Sequence, residues 1–256
     1  MIPYRSFISW NIGPVTIQSW GLMVAVAFIT ATVLAAREAD KRGMDGGQIY
    51  SMMIWILSGS FIFSRLSYVI PEWHLFSQDP VSIFYIWQGG LTFLGGLAGA
   101  IIAVIIYLRI HKLDFWKYAD VVAIYLPLAH ALGRVGCILG DGGHLGKVTS
   151  MPWGVVLEGT SEARHLTSAY AVIYLLVIFG LMLYLKRKEH YKGFLFSAYL
   201  FMYSIARFIS DFVRISEVYI LGLTGSQWVS IGLLLFSCTY FWMHRKDHRD
   251  HKGARS

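Results

Sequence analysis

Apolar residues along this chain gather in blocks of about 20, the length a helix needs to cross a bilayer. Short polar stretches separate the blocks, and seven spans can be drawn, at about 12–36, 48–70, 91–110, 118–139, 168–186, 194–213 and 226–243. Two connections are longer and more elaborate. Residues 71–90 read as an amphipathic segment lying on the membrane surface, with Trp73, Phe84, Tyr85 and Trp87 as interfacial anchors. Residues 140–165 hold glycine turns and a short candidate strand in PWGVVLEG. The pattern predicts an all-α polytopic membrane protein with about seven transmembrane helices, a single integral domain over residues 1–256. The N-terminus lacks a basic region followed by a small-residue cleavage site, so no removable signal peptide is expected.

Composition supports that reading. Hydrophobic residues make up 56% of the chain and charged residues 14%, against roughly 25% charged in a soluble domain. The net charge of +7 is distributed as a topology signal, not as a nucleic-acid surface. Arg37, Lys41 and Arg42 follow the first span, and Arg109, Lys112 and Lys117 flank the third-to-fourth connection. Lys186, Arg187, Lys188 and Lys192 follow the fifth span, and the tail 244–256 is strongly basic. The opposite side carries only Arg5, Lys147, Arg164 and Arg214. Positively charged short loops stay in the cytoplasm, which places the N-terminus outside and the C-terminus inside. The tail then also meets anionic lipid. Every lysine falls in a loop or at a span edge, so no buried amine is available for a retinal Schiff base.

Three arginines fall inside spans: Arg65, Arg134 and Arg207. Each lies five or six residues from the outer end of its helix, roughly 7–9 Å below the outer surface at 1.5 Å per residue. A lone arginine near a helix end can snorkel. Three at one depth on different helices predict a shared anion site in the outer leaflet. The stretch HALGRVGCILGDGGHLGK (130–147) is where charge, glycines and histidines coincide at a span end. His130 stands one turn before Arg134, and Asp211 one turn after Arg207, so a local ion pair is the alternative role for Arg207. Gly95 and Gly99 have the spacing of close helix packing. Cys137 and Cys238 suggest neither a disulfide nor a metal site, and nothing points to a cofactor.

Taken together, these motifs resemble the bacterial prolipoprotein diacylglyceryl transferases over nearly the whole length. NIGPVTIQSWGLM (11–23) resembles the family's opening span, GGLTFLGGLAG (89–99) its third-span motif, and residues 130–147 with PWG (152–154) its signature stretch. RHLTSAY (164–170) resembles the entry to span five, RFISDFVR (207–214) the arginine–acid motif of span six, and LTGSQWVSI (223–231) the entry to span seven. Some positions depart from the pattern. Trp20 stands in place of a tyrosine, Leu94 of a histidine or tyrosine, Cys137 of an asparagine, and Asp211 of a glutamate. Ser168 and Ala171 replace a glutamine and a glutamate.

The resemblance implies transfer of a diacylglyceryl group from phosphatidylglycerol to the lipobox cysteine of a prolipoprotein signal peptide, in the bacterial inner membrane, with the site toward the periplasmic leaflet. Arg134 and Arg207 are then the expected grip on the phosphate, with Gly133, Asp141, Gly146, Asp211 and Arg65 completing substrate binding. His130, His144 and His165 are the candidate bases, since the third-span histidine is absent. A lipid-binding or lipid-transport protein on the same scaffold, without transferase activity, is the alternative.

Overall fold

The computed structural model describes residues 2–13, 15–85, 89–140, 145–215 and 219–244. The chain is mostly helical, and it divides into two compact units, Met1–Ala35 with Ala119–Ser256, and Ala36–Tyr118. The expected spans correspond to α1 (Ser19–Lys41), α2 (Gly47–Val69), α4 (Phe93–Ile110), α5 (Phe115–Gly140), α6 (Thr167–Leu185), α7 (Phe194–Ser210) and α8 (Gly225–Met243). Five of these, α1, α2, α4, α5 and α6, are long and apolar enough to cross a membrane. Helix α7 has 17 residues, and α8 is diluted by Ser226, Gln227, Ser230 and Ser237.

Two boundaries differ from the sequence reading. The first span was expected to begin at residue 12, but α1 starts at Ser19. Before it, β1 (Ile2–Tyr4) is followed by an antiparallel hairpin of β2 (Ser9–Ile12) and β3 (Val15–Gln18), in which Trp10 faces Ile17 and Asn11 faces Thr16. Gly13 turns the chain there at φ +62°, a conformation that favours glycine. The alternating residues before and after it suit paired strands, not a continuous helix. Trp10 Nε1 donates to Ser19 Oγ at 2.8 Å, and Ser19 Oγ donates to the Phe7 carbonyl, tying the hairpin to the start of α1. At the other boundary, α7 ends at Ser210 instead of reaching 213, and Asp211–Val213 form a 3-10 turn.

In the smaller unit, α2 and α4 cross where Gly59 meets Gly99. A Cβ built on Gly99 would lie 2.2 Å from the Gly59 carbonyl oxygen, so only two glycines permit this approach. The connection between them contains α3 (Trp73–Phe76) and a 3-10 turn at Pro80–Phe84. Trp73, Leu75, Val81 and Phe84 are exposed, as an interfacial segment requires, and Phe76 is buried. Trp87 lies outside the described residues.

In the larger unit, α5 packs against α1 through Gly136 and Gly140, whose ideal Cβ positions come within 3.0 Å of Met23 Cβ and of the Trp20 backbone nitrogen respectively. Ala131 of α5 meets Ala171 and Leu175 of α6, with Tyr174 and Tyr203 packed around them. Small residues thus bring α5, α6 and α7 together at one level. The first turn of α7 is capped from α5: Asp120 accepts from the Gly193 and Phe196 amides at 2.7 and 2.9 Å. The predicted strand in PWGVVLEG is β4 (Val155–Leu157), which pairs parallel with β1 and antiparallel with β5 (Ala163–Arg164). A last hairpin, β6 (Tyr219–Ile220) with β7 (Leu223–Thr224), leads into α8.

Candidate active site

Every fourth residue along one face of α7 is aromatic or ionic: Tyr199, Tyr203, Arg207, then Asp211 at the helix end. Spacing of four stacks side chains on a helix, so these groups form a ladder toward the loop that follows. Arg207 Nη2 donates to Ser226 Oγ at 2.9 Å and lies 3.3 Å from Asp211 Oδ1. The same Oδ1 lies 3.5 Å from Arg214 Nη1. Asp211 Oδ2 accepts from the Thr224 hydroxyl. Thr224 is also the N-cap of α8, in a reciprocal capping box with Gln227. One carboxylate, its side chain 4% exposed, therefore joins the end of α7 to the start of α8.

Arg134 completes the cluster from α5. Its charge reaches His130, Tyr203 and Arg214, and those of Arg207 and Arg214 also act on Tyr203. The His130 ring packs against Tyr203 with centroids 5.2 Å apart. Burial and the charge of Arg207 hold the Arg214 guanidinium below the usual arginine range, while Asp211 works against them. Three guanidinium groups face one carboxylate among the described residues here. Arg134 makes no hydrogen bond or ion pair among those residues, and Arg207 Nη1 and Nε have no protein acceptor there. Half-buried N–H donors without acceptors are costly. An arrangement that keeps several of them beside an excess of positive charge is matched to a multi-oxygen anion, which a guanidinium can grip with two hydrogen bonds.

The other expected site residues fall in several places. A Cβ on Gly133 meets no atom within 4 Å, so the face of α5 beside Arg134 is open. Gly146 is the opposite case. Its ideal Cβ would lie 2.3 Å from the Val213 carbonyl oxygen, 2.7 Å from Thr167 Cγ2 and 3.1 Å from His165 Cβ. The glycine therefore lets the loop after α5 touch the segment that carries Arg214, and Lys147 N donates to the Val213 carbonyl at 2.9 Å. His165 is half-buried, its Nδ1 2.9 Å from Tyr170 Oη, and it lines an apolar cavity. Asp141 and His144 lie outside the described residues.

Arg65 does different work from Arg134 and Arg207. It belongs to the smaller unit and is 8% exposed. Its Nε donates to the Ile83 carbonyl at 2.8 Å, Nη1 to those of Gly89 and Gly90 at 2.6 and 3.0 Å, and Nη2 to that of Ser82 at 3.0 Å. The Tyr68 and Phe76 rings flank the guanidinium carbon at 5.9 and 5.3 Å. Four of its five N–H donors therefore hold the connection between α2 and α4 in shape. The substituted positions are accommodated as packing: Cys137, Ser168 and Ala171 are buried, whereas Trp20 and Leu94 are exposed.

Sequence reasoning counted Arg214 only as a loop charge. The signal that finds it is spacing, since it stands three residues after Asp211 and seven after Arg207, on the same helical face. Tyr174, Tyr203, Thr224 and Ser226 were also passed over.

The helices and this cluster define a multi-pass helical membrane protein with a half-buried cationic site. More specifically, the chain belongs to the prolipoprotein diacylglyceryl transferase family, whose profile matches residues 7–243. A relative from Mannheimia succiniciproducens is 33% identical over 233 residues, covering 89% of this chain and 86% of its own. One from Symbiobacterium thermophilum is 34% identical, covering 84% and 83%. One from Clostridioides difficile is 30% identical, covering 94% and 96%. Each of the three is named a phosphatidylglycerol–prolipoprotein diacylglyceryl transferase.

Proposed function

We propose that this protein transfers the diacylglyceryl group of phosphatidylglycerol to the thiol of a cysteine in a prolipoprotein signal peptide. The cysteine sulfur forms a bond to the glyceryl carbon, the bond from that carbon to the phosphate oxygen breaks, and glycerol phosphate leaves. The thiol proton is given up as the sulfur attacks, which balances the charge gained by the departing phosphate. The observation that carries this reading is the group of Arg134, Arg207 and Arg214 around a single described carboxylate, with N–H donors still uncommitted.

Arg134 and Arg207 bind the phosphodiester and stabilise the negative charge that grows on the leaving group, an electrostatic role suited to a site poor in water. Asp211 orients Arg207 and Arg214 and lowers the cost of burying them. His130 is the best-placed of the described histidines to take the thiol proton, because it alone neighbours Arg134 on α5. Gly133 leaves room for the headgroup, and Gly146 holds the Arg214 segment in place. Asp141 and His144 complete the polar loop above the cluster. Arg65 contributes by shaping the connection at 82–90 instead of by gripping the phosphate.

The placement of basic loops supports seven crossings in one integral domain of the bacterial inner membrane, N-terminus outside, C-terminus cytoplasmic and site toward the outer leaflet. The test of function is reconstitution of the purified chain with phosphatidylglycerol and a cysteine-containing lipobox peptide. Mass spectrometry should detect peptide carrying one diacylglyceryl group. Binding of phosphatidylglycerol without any modified peptide would favour the lipid-binding alternative.

A further inference from the structure

Next to the arginine cluster lies a cavity of about 660 Å³, within the usual size of a ligand site. Ile2, Trp153, Val155, Leu166, Ala169 and Ile173 form its apolar wall. Ile2, Trp153 and Ile173 are each more than half exposed, at 53%, 52% and 63%. Contiguous exposed apolar surface of this kind marks a binding surface. The wall also has a polar strip. Trp153 Nε1 donates to Tyr170 Oη at 2.9 Å, and the same oxygen lies 2.9 Å from His165 Nδ1.

The cavity is close to the cationic cluster. Tyr170, in its wall, and Tyr174, which interacts electrostatically with Arg214, stand one turn apart on α6. Four residues at 1.5 Å each separate them by roughly 6 Å along the helix, about two residues of extended peptide at 3.3 Å per residue.

We propose that this cavity is the subsite for the acceptor peptide, seating apolar side chains that lie about two residues from the reacting cysteine. This rests on the transferase reading given above. Three observations favour a peptide over an acyl chain. The cavity is built largely from β1, β4 and the loop before α6, not from the interior of a span. It carries hydroxyl and imidazole groups that a peptide backbone can pair with and a hydrocarbon cannot. Finally, β1 is an edge strand of the three-stranded sheet, so one of its sides has no neighbouring strand.

The experiment has two arms. In the kinetic arm, Ala169→Phe narrows the cavity. It should raise KM for the peptide on the order of tenfold, the equivalent of about 1.4 kcal/mol, with KM for phosphatidylglycerol unchanged. In the labelling arm, the wild-type protein is irradiated with a lipobox peptide carrying benzophenone two residues from its cysteine, and separately with phosphatidylglycerol carrying a diazirine acyl chain. The peptide probe should attach to Trp153 or Ile173 and the lipid probe should not. Attachment of the lipid probe there, or a rise in KM for phosphatidylglycerol alone, overturns the proposal in favour of an acyl site. Peptide labelling elsewhere also overturns it, even if Ala169→Phe fails to fold. If wild-type protein transfers normally and Ala169→Phe matches it, the subsite is wrong and the transferase reading stands. If wild-type protein does not transfer, both fall.

Discussion

Asp211 sits one helical turn beyond Arg207, and its Oδ1 is shared between Arg207 Nη2 at 3.3 Å and Arg214 Nη1 at 3.5 Å. A single buried carboxylate thus fixes two guanidinium groups from one chain segment while its second oxygen engages Thr224. Removing one partner from such a buried pair costs more than the pair contributes net, because the remaining charge is left uncompensated. Asp211→Ala should destabilise the protein by on the order of 3 kcal/mol, seen as a lower midpoint in detergent thermal unfolding. Asp211→Asn retains the contact to Thr224 and should lose less stability than Asp211→Ala while still lowering transfer. Equal stability of both variants and the wild type would remove the linking role.

Arg134→Ala should reduce transfer about 10²–10³-fold, the usual loss on removing a group that stabilises transition-state charge. The protein should still extract and unfold as the wild type does. Arg134→Lys keeps the charge but loses the planar fork, so it should recover only part of the rate. Arg109→Ala, near the end of α4 and remote in sequence from the cluster, should transfer normally. Initial rates of peptide modification decide the matter; matching rates for Arg134→Ala and Arg109→Ala would leave no case for the phosphate grip.

Gly146 and Gly133 should respond oppositely to alanine. At Gly146 the new methyl group would lie 2.3 Å from the Val213 carbonyl oxygen, so the segment bearing Arg214 must shift, and both activity and thermal stability should fall. At Gly133 nothing lies within 4 Å. There alanine should raise stability slightly, by up to about 1 kcal/mol from helix propensity, while activity declines because the methyl group crowds the headgroup. Thermal midpoints and rates measured side by side on the two variants test the pair.

Gly99→Ala should separate α2 from α4, since its Cβ would come 2.2 Å from the Gly59 carbonyl. Overpacking of this kind costs about 1–3 kcal/mol. Gly180→Ala meets nothing within 4 Å and serves as the comparison. A Gly99→Ala protein that melts no earlier than Gly180→Ala would contradict the close crossing.

Arg65→Lys should loosen the connection at 82–90, because an ammonium cannot reach four carbonyls spread over Ser82, Ile83, Gly89 and Gly90. Limited proteolysis should cut there faster in the variant than in the wild type, and unchanged cleavage would show that the loop holds itself.

Much of the helical framework was legible because each apolar block is bounded by charge or glycine. The hairpin before α1 was hidden, since Trp10, Ile12, Val15 and Ile17 add to a hydrophobic window whether they alternate across a strand or wind around a helix. Arg134, Arg207 and Asp211 were legible as ions placed where lipid tolerates them poorly. Arg214 was not, because a charge just past a helix end looks like any loop residue until the 3-10 turn carries the helical face onward. Arg65 was legible as a buried cation but not as a loop clamp. Its partners are backbone carbonyls 17 to 25 residues away, which no side-chain pattern records.

The loan of Asp120 to the first turn of α7 bears on how the chain is assembled. Gly193, at the head of that helix, supplies no side chain of its own, and the carboxylate that replaces it arrives from 73 residues earlier. During synthesis α5 is made first and waits with an unfilled acceptor; α7 cannot close its opening turn until it docks there. The late helix is in this sense templated by an earlier one, and the ladder of Tyr203, Arg207 and Asp211 acquires its register only when that docking is done.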